Sequence, residues 1–254
     1  MEEVSSMKVS IITATYNSAN TIIDTLRSLE NQTYKNIEYI IIDGASKDNT
    51  SDVINANPTG VTSMISEPDR GIYDALNKGI DAATGDIVGF LHSDDLFSSD
   101  TAIEDIVKQF NLTSADAVYA DLEYVSKDNL SQVVRLWKSG KYNKNKLKNG
   151  WMPPHPTYYM KRELYEKFGS FDLSFKIAGD YDSLLRYLWK NNISMSYIPK
   201  VLLKMRVGGA SNRSLKNIIQ KTKEDISALK NNGVPVFRAI LWKNLSKIPQ
   251  FIFK

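Results

Sequence analysis

Residues 37–43 read IEYIIID. A β-rich run with a continuous apolar core, Tyr39 to Ile42, that ends in a carboxylate predicts a strand buried on both faces, with its last residue emerging at the rim of a sheet. KVSIITA (8–14) has the same character, and Ile22, Leu26 and Leu29 share one helical face between the two runs. Beyond Asp43, several capping residues from Ser46 to Thr50 introduce a helix through Ile54. VTSMIS (61–66), DIVGFLH (86–92) and DAVYAD (116–121) are further strands, and Ile72, Leu76 and Ile80 lie on one helical face. Strands alternating with helices predict βαβ units: an α/β fold whose mostly parallel sheet is flanked by helices. Such sheets bind ligands outside the carboxyl ends of their strands.

The bulk numbers fit one large core or a domain with an appendage: 254 residues, 42% hydrophobic and 24% charged. Without cysteine the chain has no disulfide framework and no thiolate metal site, as expected of a reducing compartment. A net charge of +3 is too small to argue for nucleic acid. The start, MEEVSSMK, is acidic and lacks the apolar run of a secretory signal, so residues 1–7 read as a short disordered extension. No apolar stretch approaches the ~18 residues that a membrane crossing requires.

The second half is less regular. KSGKYNKNKLKNG (138–150) reads as a solvated loop or frayed helix, and WMPPHP (151–156) as a stiff turn. A helix over 180–190, a strand over 194–205, a loop containing Gly208-Gly209 and a C-terminal helical appendage follow.

In a parallel sheet, Asp43, Asp69, Asp94 and Asp95 all fall on one rim, joined by Tyr16 and Asn17 after the first strand. An acidic rim repels phosphate unless a divalent cation intervenes. Mg²⁺ or Mn²⁺ held by one or two carboxylates bridges to a diphosphate that completes its oxygen shell. Tyr16 is placed to stack on a base. Asp43 is placed to accept the imide N–H of uracil, which cytosine lacks, so a UDP compound is favoured. No glycine-rich phosphate loop of either common kind follows the first strand.

TATYNSANTI (13–22), IIIDGASKDNT (40–50), SEPDRGIYDALNKGI (66–80), GDIVGFLHSDD (85–95) and IAGDYDSLLR (177–186), in that order, resemble the inverting family 2 glycosyltransferases of GT-A fold. The resemblance is to bacterial enzymes of O-antigen, capsule and exopolysaccharide synthesis. It implies a nucleotide-sugar-binding half over 8–121, an acceptor and catalytic half over 122–212 in the same domain, and helices over 213–254. It implies a donor site of Thr13, Ala14, Tyr16, Asn17, Asp43, Asp69, Arg70, Lys78, Ser93 and Asp94. Asp95 and Asp94 hold Mn²⁺ or Mg²⁺, and Asp180 is the catalytic base. His155, Asp182, Gly209 and Ser211 are candidates for acceptor or phosphate contact. The chain departs from the family pattern twice: His92 stands where an acid is common, and Gly179 where many relatives carry Glu.

Each residue has a plainer alternative. Asp94-Asp95 could form a turn or cap a helix near Asp100, and Asp43 could be a turn residue before Gly44. Tyr16 could be ordinary packing, and Asp180 a helix N-cap with Asp182 a first-turn acid. His155 and the Gly208-Gly209 pair could simply belong to turns. Two other functions compete: a sugar-nucleotide pyrophosphorylase, disfavoured because TATYNSAN lacks the glycine-rich basic loop a triphosphate needs, and an inactive nucleotide-sugar-binding module. Residues 237–254 carry Arg238, Lys243, Lys247 and Lys254 among Phe, Trp, Leu and Ile, with no acid. That pattern suits a helix packed on the enzyme with a basic outer face, or one lying in a membrane interface. The resemblance favours the membrane, because related enzymes use lipid-linked saccharides at the cytoplasmic face.

Overall fold

The computed structural model describes residues 6–58, 60–208 and 215–245. The two opening runs form β1 (Val9–Thr15) and β2 (Ile37–Asp43), paired in parallel from Val9 opposite Ile37 to Thr15 opposite Asp43. Both are buried on two faces because period-2 alternation sends neighbours to opposite sides. Val9, Ile11, Tyr39 and Ile41 enter one core with Ile22, Leu26 and Leu29 of α1 (Ile22–Glu30). Ile12, Ile40 and Ile42 enter the other, with Leu76 and Ile80 of α3 (Ile72–Ala82). Each such aliphatic side chain contributes about 1.5–3 kcal/mol on burial.

Between these two helices come α2 (Thr50–Ala56) and β3 (Ser63–Ser66); after them come β4 (Ile87–Phe90), β5 (Leu96–Phe97), α4 (Ala102–Thr113), β6 (Ala117–Val125) and β7 (Val133–Trp137). Then follow β8 (Tyr159–Lys161), α5 (Arg162–Phe168), α6 (Gly179–Leu185), β9 (Met195–Arg206), α7 (Leu215–Asn231) and α8 (Val236–Leu245). The nine strands form one sheet in the order β3-β2-β1-β4-β8-β6-β9-β5, with β7 paired to β6. The first four run parallel, which puts their carboxyl ends on one rim. Beyond them β8 is antiparallel to both β4 and β6, and β9 returns parallel to β6. The two halves therefore share a sheet, and the expected division at residue 121 falls inside β6.

Three expectations change. Ser6 and Met7 belong to the ordered chain, since Asn36 donates to the Ser6 carbonyl and the Tyr34 hydroxyl to that of Met7. The lysine- and asparagine-rich stretch is not a solvated loop. It closes into a 3-10 turn, Lys144–Asn149, that buries Leu147 completely and seats α8, with Arg238 donating to Asn149 Oδ1. The helix read over 180–190 is α6 followed by a π-turn, Arg186–Lys190. Residues 1–5, 209–214 and 246–254 lie outside the described chain, so Gly209, Ser211 and the end of the basic tail are not placed.

Candidate active site

The loop after β1 and the loop after β2 are woven together at the rim. Asn17 and Ala45 both adopt positive φ, 51° and 57°. These turns aim the Asn17 N–H at Ser46 Oγ (2.8 Å) and the Lys47 N–H at Asn17 Oδ1 (2.8 Å). Tyr16 is left 56% exposed, too open for a packing residue. Gly44 lies beneath it: a Cβ there would come 2.4 Å from Asp69 Oδ2 and 3.5 Å from the Tyr16 ring. Tyr16, Gly44 and Asp69 thus form one wall, in which a larger residue at 44 would push the Asp69 carboxylate aside. Ser18 Oγ reaches Ser93 Oγ at 2.9 Å, tying this wall to the loop after β4.

Asp43 is fully buried, and its two oxygens accept from Ser46 N–H (3.1 Å), Ser46 Oγ and Ser66 Oγ (2.6 Å). It organises the rim by joining the loop after β2 to the end of β3. Asp69 Oδ1 accepts from the Gly71 N–H at 2.8 Å. Arg70 is largely exposed and pairs with Asp74, which raises its pKa. Lys78 braces the same loop through Glu67 (2.7 Å) and the Pro68 carbonyl (3.0 Å). Ala14 lies buried at the end of β1.

The turn His92–Asp95 is pinned from both sides. Thr25 donates to the Asp95 carbonyl (2.8 Å), and Arg206, itself paired with Asp24, donates to that of Asp94 (3.2 Å). The helix after it starts at Ala102 with Thr101 at its N-cap, so Asp94-Asp95 cap nothing. Asp95 is 1% exposed, and no donor lies in full hydrogen-bonding geometry to either carboxylate oxygen. Burial and the Asp94 charge push its carboxyl well above the usual range, with the Arg206 backbone and guanidinium opposing only in part. Buried carboxylates are normally satisfied. Among the described residues no three His, Cys, Asp or Glu side chains converge as a cage. The unsatisfied Asp95 carboxylate, with Asp94 beside it, would fit a hard divalent cation, which needs only one or two protein carboxylates when other oxygens complete its shell.

Asp180 enters from α6. Its Oδ1 accepts from the Tyr181 N–H (2.8 Å) and the Tyr73 hydroxyl (3.3 Å). Burial raises its pKa, opposed by the Tyr181 N–H, Lys243, Lys221 and Tyr73. Burial, the larger effect, lowers the pKa of His92, opposed by the charges of Asp94 and Asp180, both of which reach it. Gly179 now has a physical reason. A Cβ at this position would lie 2.8 Å from the Tyr73 ring, so Tyr73 fills the space of any larger residue and its hydroxyl serves Asp180 instead.

Three expected contacts are corrected. Thr13 points into the core, donating to the Leu91 carbonyl and meeting the Tyr39 hydroxyl, so its side chain holds β1 to β4. Asp182 is buried against Asn232 (2.9 Å) and Arg186 (3.6 Å) and faces no acceptor. His155 is buried in a stack on Phe90 (ring centroids 5.1 Å), where desolvation pushes its pKa down to about 3; it brings no charge to a phosphate. Sequence reading missed Tyr73, Ser66 and Arg206. The glycine at 179 is the one signal that could have led to Tyr73.

The site can now be set beside known proteins. Residues 10–169 match the model of glycosyl transferase family 2. An uncharacterized glycosyltransferase of Mycobacterium tuberculosis is 33% identical over 70% of this chain and 68% of its own length. A PGL/p-HBAD biosynthesis glycosyltransferase of Mycobacterium bovis is 28% identical over 80% of this chain and 78% of its own. Among solved structures, S. aureus TarS superposes with a TM-score of 0.70 at 18% identity over 92% of this chain, which spans 41% of TarS. Its 1–349 segment bound to UDP-GlcNAc gives 0.69 at 18% identity, covering 89% of this chain and 65% of that one. The Pyrobaculum calidifontis mannosyltransferase with GDP-Man and Mn²⁺ gives 0.66 at 20%, covering 89% and 64%. At these identities the structural likeness speaks for the fold, which is GT-A. The matched segment and the relatives speak for the family: this chain is a member of glycosyl transferase family 2.

Proposed function

We propose that this chain is an inverting hexosyl- or N-acetylhexosaminyltransferase that moves a sugar from a UDP-sugar to a hydroxyl of a saccharide acceptor. The observation that carries the reading is that Asp94, from the loop after β4, and Asp180, from α6, are both near enough to His92 for their charges to act on it. A diphosphate end at Asp94 and a base end at Asp180 would then border one region, as a single displacement at an anomeric carbon requires. Tyr16 stacks on the uracil, Asp43 accepts its imide N–H, and Asp69 and Arg70 border the ribose. Asp95 and Asp94 would hold Mn²⁺ or Mg²⁺ beside the diphosphate, where such an ion supplies Lewis-acid stabilisation of the departing charge. The Mn²⁺ of the mannosyltransferase neighbour supports that assignment. Asp180, its pKa raised by burial, accepts the proton of the acceptor hydroxyl as that oxygen attacks.

The acceptor we favour is a lipid-diphosphate-linked saccharide of a bacterial surface polysaccharide, met at the cytoplasmic face of the membrane. Among the described residues no helix is long and apolar enough to cross a membrane. Contact is instead peripheral: α8 packs through Ala239 and Lys243 while Phe237, Leu241 and Trp242 stay exposed. UDP release from a panel of UDP-hexoses and UDP-N-acetylhexosamines, offered with synthetic lipid-diphosphate-linked saccharides, tests the reading. Turnover, an inverted anomeric centre by NMR, and a loss of about 10²–10⁴-fold in turnover for Asp180→Asn with UDP affinity kept are expected. A retained configuration, or an Asp180→Asn enzyme at full speed, refutes it.

A further inference from the structure

The loop that delivers Asp180 is held by a residue far along the chain. Glu224 of α7 is 6% exposed, and its carboxylate accepts three successive backbone N–H groups: Lys176 (3.1 Å to each oxygen), Ile177 (2.8 Å) and Ala178 (2.9 Å). Gln220, one turn earlier on α7, donates to Glu224 Oε1 at 2.7 Å. Successive N–H groups that converge on one point make an anion nest. Here the chain's own glutamate fills it, and the Gln220 and backbone hydrogen bonds hold its pKa below the usual value despite burial. From α3, the single Tyr73 hydroxyl hydrogen is directed mainly to the Ile177 carbonyl at 2.8 Å and is shared with Asp180 Oδ1 at 3.3 Å. The loop is thus gripped by its N–H groups from α7 and by a carbonyl from α3. Asp180 follows two residues after the last gripped amide.

We propose that Glu224 is a positioning residue for the transfer reaction: it fixes the 176–178 loop so that the Asp180 carboxylate faces the acceptor hydroxyl. This rests on the reading of Asp180 as the base. It extends the catalytic machinery beyond residues 10–169 of the family match into the C-terminal helices. Glu224→Gln keeps the shape but removes the charge and replaces one acceptor oxygen by an N–H donor, facing Lys176 and Gln220 in the Oε1 place or all three loop amides in the Oε2 place. The loop then loses its register while the donor site, on other elements, stays intact.

A mutant cycle separates this from simple stabilisation. The full chain is assayed for UDP release from UDP-hexoses and UDP-N-acetylhexosamines with lipid-diphosphate-linked saccharides, and for UDP binding by calorimetry in Mn²⁺. Glu224→Gln is expected to lower kcat by about 10–100-fold, with UDP affinity within about twofold of wild type. Added to Asp180→Asn it is expected to cost nothing more, because a residue acting through another has no effect once that other is gone. Losses that multiply in the double variant, or a Glu224→Gln enzyme with wild-type kcat, overturn the proposal while leaving Asp180 as the base. A fully active Asp180→Asn enzyme overturns both readings together. If Glu224→Gln does not fold, Glu224→Asp, which draws the charge back by one methylene, enters the same cycle with the same outcomes.

Discussion

Asp95→Asn should stabilise the metal-free protein and abolish its stabilisation by ligand. Without a cation, the wild type keeps a carboxylate 1% exposed, unpartnered, and beside Asp94. An asparagine there is also a buried polar group but carries no charge. The wild type must either bear that buried charge or take up a proton to remove it, and asparagine does neither, so at neutral pH the variant is favoured by about 1–2 kcal/mol. At roughly 2–4 °C per kcal/mol for a chain of this size, Tm in EDTA rises by about 2–8 °C. With Mn²⁺ and UDP at 100 times their dissociation constant, the wild type gains about 2.7 kcal/mol, and the variant gains far less. The order of the two melting temperatures therefore inverts between EDTA and saturating Mn²⁺–UDP. The pH dependence has a fixed sign. Because the folded pKa of Asp95 lies above its unfolded value, the folded state keeps a proton that the unfolded chain has released. The metal-free wild type accordingly loses stability as pH rises from about 4 through the folded pKa, and Asp95→Asn removes that part of the slope. Differential scanning calorimetry in both buffers reads all of this. A variant that is destabilised in EDTA, or that keeps the full gain with Mn²⁺–UDP, refutes the assignment of Asp95 as a vacant cation ligand.

Two further outcomes follow from the geometry. Gly179→Ala drives a methyl to within 2.8 Å of the Tyr73 ring, so we expect a stability loss of about 1–3 kcal/mol and a turnover loss with UDP affinity unchanged. Adding Tyr73→Leu should restore the melting temperature but not turnover; full activity in the single variant counts against the Tyr73–Asp180 contact. Serine at Phe237, Leu241 and Trp242 together should weaken co-sedimentation with anionic vesicles by about tenfold while circular dichroism is unchanged. Equal pelleting of variant and wild type excludes that face as the membrane contact.

The rim was legible because strand polarity is written in the sequence: apolar runs ending in Asp43 or followed by Asp69, Asp94 and Asp95 can share one edge only if the strands are parallel, and the first four are. Side-chain direction was less legible. Thr13 stands in a rim motif, yet strand alternation turns it toward Tyr39. Asp182 is two residues from Asp180 on a helix, which sends it to a different face, against Asn232. His155 looked like a turn residue, because its burial depends on Phe90 and Phe171 from distant segments. The lysines of 138–150 suggested solvent, but Lys144 and Lys148 lie over the Trp189 ring and Leu147 is inside.

The C-terminal helices were the least legible part, and the reason is physical. Nothing in residues 215–231 marks Glu224 as different from the other charges of an amphipathic helix; its partners are backbone N–H groups, which every residue carries. Their convergence depends on the path of the loop before α6, which no local pattern encodes. Yet α6 is met from this side three times: by Glu224 at its leading loop, by Asn232 at Asp182, and by Lys243, paired with Asp225 and set 3.5 Å over the Tyr181 ring. An appendage that served only to reach a membrane would have no need of these contacts with the helix carrying the candidate base. Cutting the chain before α7 would leave the N–H groups of Lys176, Ile177 and Ala178 without the Glu224 carboxylate, and Asp182 with Arg186 but without Asn232. The helices expected as an appendage after residue 212 are therefore packed against α6 and the loop before it as part of the same body.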